Sequence, residues 1–217
     1  MPDAYIDQTR EFFGIRAATW DTKFGEDIPV YTAAISEAGI RRGGTAIDVG
    51  CGTGRALPPL RDAVGPQGRV IGLDLTPQML ASARSKVGAG VQTTVGAEVQ
   101  AEGLADNGCA LVLADARRLP LADATADAIF AAGLVNHLPD PAAGLAELAR
   151  VTRPGGLLIL FHPVGRATLA ARHGHAVTPD EILSPRPLRA TAQATGWELT
   201  TYDDAADRFL AIARRLA

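Results

Sequence analysis

The chain has 217 residues, 47% of them hydrophobic and 21% charged, with a net charge of −3. That length fits one α/β domain with a sizeable core, and the acidic balance excludes the global basic field that draws a protein to nucleic acid or to an anionic membrane. Two cysteines, Cys51 and Cys109, make neither a disulfide framework nor a metal-ligand pattern.

Residues 1–42 read as a helical cap. Six of the eleven aromatics (Tyr5, Phe12, Phe13, Trp20, Phe24 and Tyr31) fall in the first 31 residues, which argues against a disordered tail. Asp3 and Asp7 stand where a secretory leader would be apolar, and the longest aliphatic run, residues 157–161, is only strand-length. A cytoplasmic location without membrane contact is therefore expected.

From Thr45 onward strands and helices alternate over residues 43–217, the pattern of a parallel sheet covered on both faces. The strands are expected at residues 45–49, 70–74, 110–114, 127–131 and 157–161. Helices are expected at 55–64, from Thr76-Pro77 to about residue 86, and from Asp140-Pro141 to about residue 150, the last two opened by a cap residue and a first-turn proline. Residues 88–108 carry no readable period; a short extra helix or an excursion between strands is expected there. Arg153-Pro154-Gly155-Gly156 reads as a turn, and residues 187–195 as a helix stopped by Gly196. Residues 197–202 and 209–214 read as two strands joined by a loop short enough to permit only an antiparallel pair.

The chemistry concentrates where the first strand ends. Ala46-Ile47-Asp48-Val49-Gly50-Cys51-Gly52-Thr53-Gly54 is an apolar run ending in an acid and three glycines at alternate positions. A second run, Val70-Ile71-Gly72-Leu73, ends in Asp74. Glycines allow a tight turn and bring a ligand against bare backbone, and an acid at the end of the next strand accepts hydrogen bonds from both hydroxyls of a ribose. The spacing G-x-G-x-G is not the pyrophosphate spacing G-x-G-x-x-G, and no Lys-Ser/Thr follows as in a P-loop. The loop therefore suits a nucleoside without phosphates. Cys51, inside it, reads as a small packing residue.

With Asp48, Gly50, Gly52 and Gly54, the segment resembles the first motif of class I S-adenosylmethionine (SAM)-dependent methyltransferases, closest to the small ubiquinone/menaquinone-type group. Asp74-Leu75-Thr76-Pro77-Gln78-Met79-Leu80 is similar to the family's Asp-x-Ser-x-x-Met-Leu, Asp115-Ala116 with Leu119-Pro120 to its Asp-Ala-x-x-Leu-Pro, residues 127–132 to its fourth-strand motif, and Arg153-Pro154-Gly155-Gly156 to its turn before strand five. The departures are Ala126 in place of a usual Phe and the long span 88–108.

The resemblance implies a Rossmann-like, seven-stranded, mostly parallel α/β sheet with an antiparallel C-terminal hairpin and an N-terminal cap. It implies SAM as cofactor and S-adenosylhomocysteine as product, held by Asp48, Gly50, Cys51, Gly52, Gly54, Asp74, Leu75, Met79, Asp115, Ala116 and Ala132. Asp115 would face the adenine amino group, with Leu75 and Met79 flanking the ring. Asp74 and Asp115 have a plainer reading as turn- or helix-capping acids, which Thr76 makes less pressing for Asp74 because it serves as the cap.

The acceptor should be reached from strands four and five and the cap, near Asn136-His137 and Phe161-His162, with Trp20 and Tyr31 as walls. His137 is the candidate base or acceptor-orienting group, against a structural role near Pro139-Asp140. Arg166 and Arg172 would hold an anionic acceptor or, more plainly, are solvated. His162, His173, His175 and Asp180 have Zn²⁺-compatible spacing but no fixed framework, so no metal is expected. The function expected is methyl transfer to a small molecule, with no nucleic-acid partner; the sequence leaves the oligomeric state open, a homodimer included. The competing readings are a silent SAM-binding module or partner subunit and an NAD-dependent oxidoreductase, which the glycine spacing disfavours.

Overall fold

Every residue of Thr45–Val49 is buried, as a central parallel strand requires when helices cover both faces. Its side chains divide by the period of two: Ile47 and Val49 enter one core, Ala46 the other. Residues Ile129 and Ala131 against Ala128 and Phe130, and Leu158 and Leu160 against Ile159 and Phe161, repeat the division. The sheet thus separates two apolar cores, as alternating side chains on a pleated strand predict.

The computed structural model describes residues 3–24, 27–88, 91, 93–95 and 108–217. Three helices come first: α1 (Ala4–Gly14), α2 (Ala17–Phe24) and α3 (Ile28–Ala38). The alternating part is β1 (Thr45–Val49), α4 (Leu57–Val64), β2 (Arg69–Asp74), α5 (Pro77–Val87), β3 (Thr93–Val95), β4 (Cys109–Leu113), β5 (Ala126–Ala132), α6 (Pro141–Val151) and β6 (Thr152–His162). It closes with α7 (Arg166–Arg172), α8 (Pro185–Ala194), β7 (Trp197–Asp204) and β8 (Phe209–Arg215). The spatial order is β3-β4-β2-β1-β5-β6-β8-β7. Pairing is parallel from β3 to β6, and β8 joins β6 and β7 antiparallel.

The sheet has eight strands rather than the seven expected. The additional one is β3, three residues paired to β4 at the edge. It lies inside the span 88–108; the extra helix or excursion expected there falls otherwise on residues outside those described. The turn expected at Arg153-Pro154-Gly155-Gly156 is a bulge within β6: pairing jumps from Ala126↔Thr152 to Ala128↔Leu157. Gly155 bends there at φ 77°.

Two helix starts differ in chemistry. Asp140 caps α6, accepting from Ala143 N at 3.0 Å. The Thr76 side chain, expected to cap α5, makes no such bond; Asp74 accepts from Thr76 N instead. Buried Tyr31, Ala34 and Ile35 form the inward face of α3. Tyr31 packs on Phe161 at 4.7 Å and on Phe130 at 5.9 Å, so it is core and not the acceptor wall expected. Among the described residues no helix is long and apolar enough to cross a membrane.

Candidate functional site

The chain changes direction across the sheet at β1, with β2 on one side and β5 on the other. Open α/β sheets bind ligands beyond the strand C-termini at such a point. The glycine loop leaves β1 there. Gly50, Gly52 and Gly54 have φ values of 74°, 54° and 82°, a region that side chains with a Cβ disfavour. At Gly54 the need is also steric, because a Cβ would lie 2.9 Å from Leu57 and 3.0 Å from Ala83. At Gly52 a Cβ would meet nothing within 4 Å, so the exposed backbone of the loop's centre is a cradle a ligand can lie against.

Asp74 faces that loop from the end of β2. Its Oδ2 accepts from Gly52 N and its Oδ1 from Thr76 N, each at 2.8 Å. Burial pushes its pKa up, opposed by those backbone N–H groups. Each carboxylate oxygen keeps a second acceptor site, so the group is fixed in place and still has capacity for a diol. Gly50 N and Cys51 N both donate to Leu73 O, at 2.8 and 2.9 Å, which binds the loop to β2.

Asp48 is 2% exposed. Burial first, and the nearby Asp74 charge second, push its carboxyl far above the usual carboxylate range. Asp48 therefore lies beneath the loop with its charged form disfavoured by burial. Cys51 is likewise buried, its thiol pushed up by desolvation and by both acids, which makes it inert packing.

The adenine-side residues are more occupied than expected. Asp115 Oδ1 accepts from Arg117 N at 2.9 Å, and Oδ2 accepts from Arg117 Nε and Nη2 at 2.8 and 2.6 Å. Arg117 also reaches Asp3 at 2.6 Å and lies over the Tyr5 ring at 4.4 Å. The capping role of Asp115 is thus real, and a ligand amine would share this carboxylate with Arg117. Ala116 and Leu75 are half-buried, and Leu75 O accepts from Arg10 Nε at 3.0 Å. Met79 is buried on the inward face of α5. Ala132, at the end of β5, is partly buried and paired to Phe161.

The N-terminal helices are tied to the loop by contacts that no motif announces. Asp21 accepts from Thr53 Oγ1 at 2.6 Å, Lys86 Nζ at 2.6 Å and Arg55 Nε at 3.2 Å. Burial works to raise its pKa, but these hydrogen bonds prevail and lower it. Asp27 takes both its oxygens to Arg55 Nη1, and Lys86 Nζ also donates to Thr53 O at 2.6 Å. Arg55, directly after Gly54, was the one local hint of a charged anchor.

His137 sits in a single helical turn, Val135–His137. Its ring stands edge-on to Phe13 at 5.2 Å, and Phe13 contacts Trp20 at 5.8 Å. Desolvation of the ring, then the neighbouring His162, lowers its pKa, although the residue as a whole is exposed at the surface. His173 and His175 are exposed with rings 6.5 Å apart. Among the described residues no three potential metal ligands converge.

Arg166 corrects both readings made of it. It is 8% exposed, neither solvated nor available to an acceptor. It donates to Glu181 at 3.0 Å, Ser184 at 2.8 Å, Tyr202 at 3.1 Å and Asp204 at 3.3 Å. Arg172 is exposed.

Residues 47–160 match the methyltransferase domain family. The chain belongs to that family. By its motifs it is of the class I type, whose cofactor is S-adenosylmethionine. The methyltransferase domain is 37% identical over 120 residues to a demethylmenaquinone methyltransferase of Shouchella clausii, covering 55% of this chain and 45% of that protein. It is 36% identical over 154 residues to a phosphatidylethanolamine N-methyltransferase of Cereibacter sphaeroides, covering 70% and 66%. The chain thus spans about half to two thirds of the length of these relatives. Among solved structures, the complex of the Haloferax volcanii Trm112 methyltransferase activator with a methyltransferase matches with TM-score 0.72 at 20% identity, covering 94% of this chain and 98% of that one. That likeness concerns the fold.

Proposed function

We propose that the protein methylates a small molecule from SAM, with residues 1–42 acting as a lid. The observation that carries this reading is Asp74, held by Gly52 N and Thr76 N at 2.8 Å directly beside the glycine loop. In the reading, Asp74 accepts from the ribose hydroxyls. The backbone of residues 50–54 takes the cofactor's close approach, with Leu75 and Met79 beside the adenine and Asp115 and Ala116 at its edge. Asp48 and Cys51 hold the loop from below, and Ala132 lies at the strand tip near the transfer point.

SAM supplies a methyl already activated on a sulfonium. The protein's share is to align the acceptor and exclude water. The helices tied down through Asp21 and Asp27 support the second task, and His137, against Phe13, supports the first as an acceptor-orienting group. The names borne by the relatives, a quinone and a phospholipid methyltransferase, favour an acceptor with an apolar body.

Calorimetric titration with S-adenosylhomocysteine and SAM tests the reading, with NADH as decoy. Micromolar binding is expected, lost by about 1–3 kcal/mol in Asp74→Ala, with no NADH signal. A folded protein that binds neither sulfur nucleoside refutes it.

A further inference from the structure

Thr76 stands at the start of α5 with Pro77 at the first helical position, a pairing that opens many helices. Its backbone is extended, at φ −104° and ψ 112°, as a cap residue's should be, yet its side chain caps nothing. The residue is 1% exposed, and among the described residues its Oγ1 has no hydrogen-bond partner. A buried hydroxyl without a partner is costly, and valine would present nearly the same shape without that cost. Packing alone therefore does not account for the threonine.

The hydroxyl belongs to the surroundings of the Asp74 carboxylate. Burial is the largest influence on that carboxyl and raises its pKa; Thr76 N, Gly52 N and then the Thr76 side chain act against it. The two backbone donors are aligned, Gly52 N on Oδ2 and Thr76 N on Oδ1, each at 2.8 Å. The hydroxyl is near enough to act on the carboxyl but is not aligned as a bond. A carboxylate offers about four acceptor sites. The backbone takes two, and the two left are the number a diol requires. A rigid third bond from Thr76 would block one of them; a loose one does not.

The charged neighbours do not supply what the hydroxyl supplies. Asp48 on β1, Cys51 in the glycine loop and Tyr5 on α1 all feel Asp74 as a like charge, and Tyr5 feels Asp115 as well. Arg10 on α1 donates to Leu75 O, Arg117 to Asp115 and Asp3, and Lys86 on α5 to Asp21 and Thr53 O. Arg84, on the same helix, is exposed. Neutral donors at its own turn therefore hold Asp74 in its accepting form.

Building on the reading of Asp74 as the ribose acceptor, we propose that Thr76 is its positioning residue: the Thr76 hydroxyl donates to the Asp74 carboxylate before a nucleoside binds, and gives up that place to one hydroxyl of the diol. The contact keeps the carboxylate ionised and turned towards the loop. Its poor alignment makes the exchange easy, because a loose contact is replaced by an aligned one.

The test is ¹³C-carboxyl spectroscopy of protein labelled in aspartate, with Asp74→Asn assigning the signal. Thr76→Val and Thr76→Ala both remove the hydroxyl, and each is expected to raise the Asp74 titration midpoint by about half to one pH unit. Thr76→Ser restores the hydroxyl and is expected to bring the midpoint back near that of the wild type. The pH profile of S-adenosylhomocysteine affinity should move with the midpoint. A midpoint unmoved in either hydroxyl-free variant, a midpoint moved as far by serine, or an affinity profile that does not follow overturns the proposal. Failure of the wild type to bind S-adenosylhomocysteine counts against the ribose reading alone, because the carboxyl titration is read on the free protein.

Discussion

Thr53 Oγ1 donates to the Asp21 carboxylate at 2.6 Å, joining the second N-terminal helix to the middle of the glycine loop. The same carboxylate holds Lys86 and Arg55. The loop that would cradle the cofactor and the helices above it therefore share one charged knot. Asp21→Ala is expected to loosen it. Asp21 is 43% exposed, so solvent discounts the contact to about 1 kcal/mol, or roughly fivefold. Stopped-flow release of S-adenosylhomocysteine should be faster by that factor and should lose part of its salt dependence. An unchanged release rate would separate the helices from cofactor exchange.

Asp74 gives a pH dependence with a definite sign. Burial holds its carboxyl above the ordinary value, and a diol that donates two hydrogen bonds prefers the ionised form. Affinity for S-adenosylhomocysteine should rise with pH through the free protein's Asp74 pKa and fall as pH drops below it, with protons released on binding. Titrations upward from about pH 4, the ordinary aspartate value, in buffers of different ionisation enthalpy measure both. Asp74→Asn should bind more weakly and flatten the profile.

His137 and His162 make a prediction about stability. Both have folded pKa values below the ordinary imidazole value, through desolvation first. A depressed folded pKa means that the unfolded chain binds more protons in mild acid. The stabilisation is present above the unfolded pKa, near 6.5, and is lost as pH falls through the folded values. Melting temperature should therefore drop as pH falls from about 7.5 to 5.5, and the drop should shrink in a His137→Gln, His162→Gln double variant.

Arg166 should be a stability residue. Its side chain is 9% exposed and faces the carboxylates of Glu181 and Asp204. Arg166→Met removes the cation and leaves the less exposed Asp204, at 20%, without its charge partner. A loss of about 2–4 kcal/mol is expected, near the lower bound for breaking a buried pair because both acids keep some solvent. Thermal or urea unfolding measures it. Affinity for S-adenosylhomocysteine should be nearly unchanged, since these groups belong to α7, β7 and the segment between α7 and α8, across β5 and β6 from the glycine loop.

Much of the sheet was legible because its strands are buried on both faces and read as short apolar runs between turn residues. Edge strand β3 was not: Thr93-Thr94-Val95 is three residues long, with both threonines exposed, and has neither length nor alternation to signal a strand. Tyr31 was legible in principle as core, since Tyr31, Ala34 and Ile35 recur at helical spacing, yet its place among the early aromatics suggested an acceptor wall. The glycine loop and Asp74 stood out because their conformational and acceptor needs restrict residue type. The knot around Asp21 did not, because ion pairs between residues 21 and 86 or 27 and 55 leave no periodic mark. Nor did the burial of Arg166, whose partners come from two distant stretches of chain, residues 181–184 and 202–204.

Nearly all the residues proposed for the cofactor lie between Asp48 and Ala116, at the ends of β1 and β2, in the turns that follow β1, β2 and β4, and in α5, whereas the small cleft at the tips of β5 and β6 is lined by residues 131–209 on β5, β6, β8 and the segment around Arg166. The boundary between them in space is the β1–β5 seam, and in the chain a single point near residue 120. A protein so divided can trade its second half for another's in one crossover. Such a hybrid would inherit a new appetite for acceptors while keeping the nucleoside grip it began with, provided the β1–β5 register of Ala46↔Ala128, Ile47↔Ile129 and Asp48↔Phe130 survives the join.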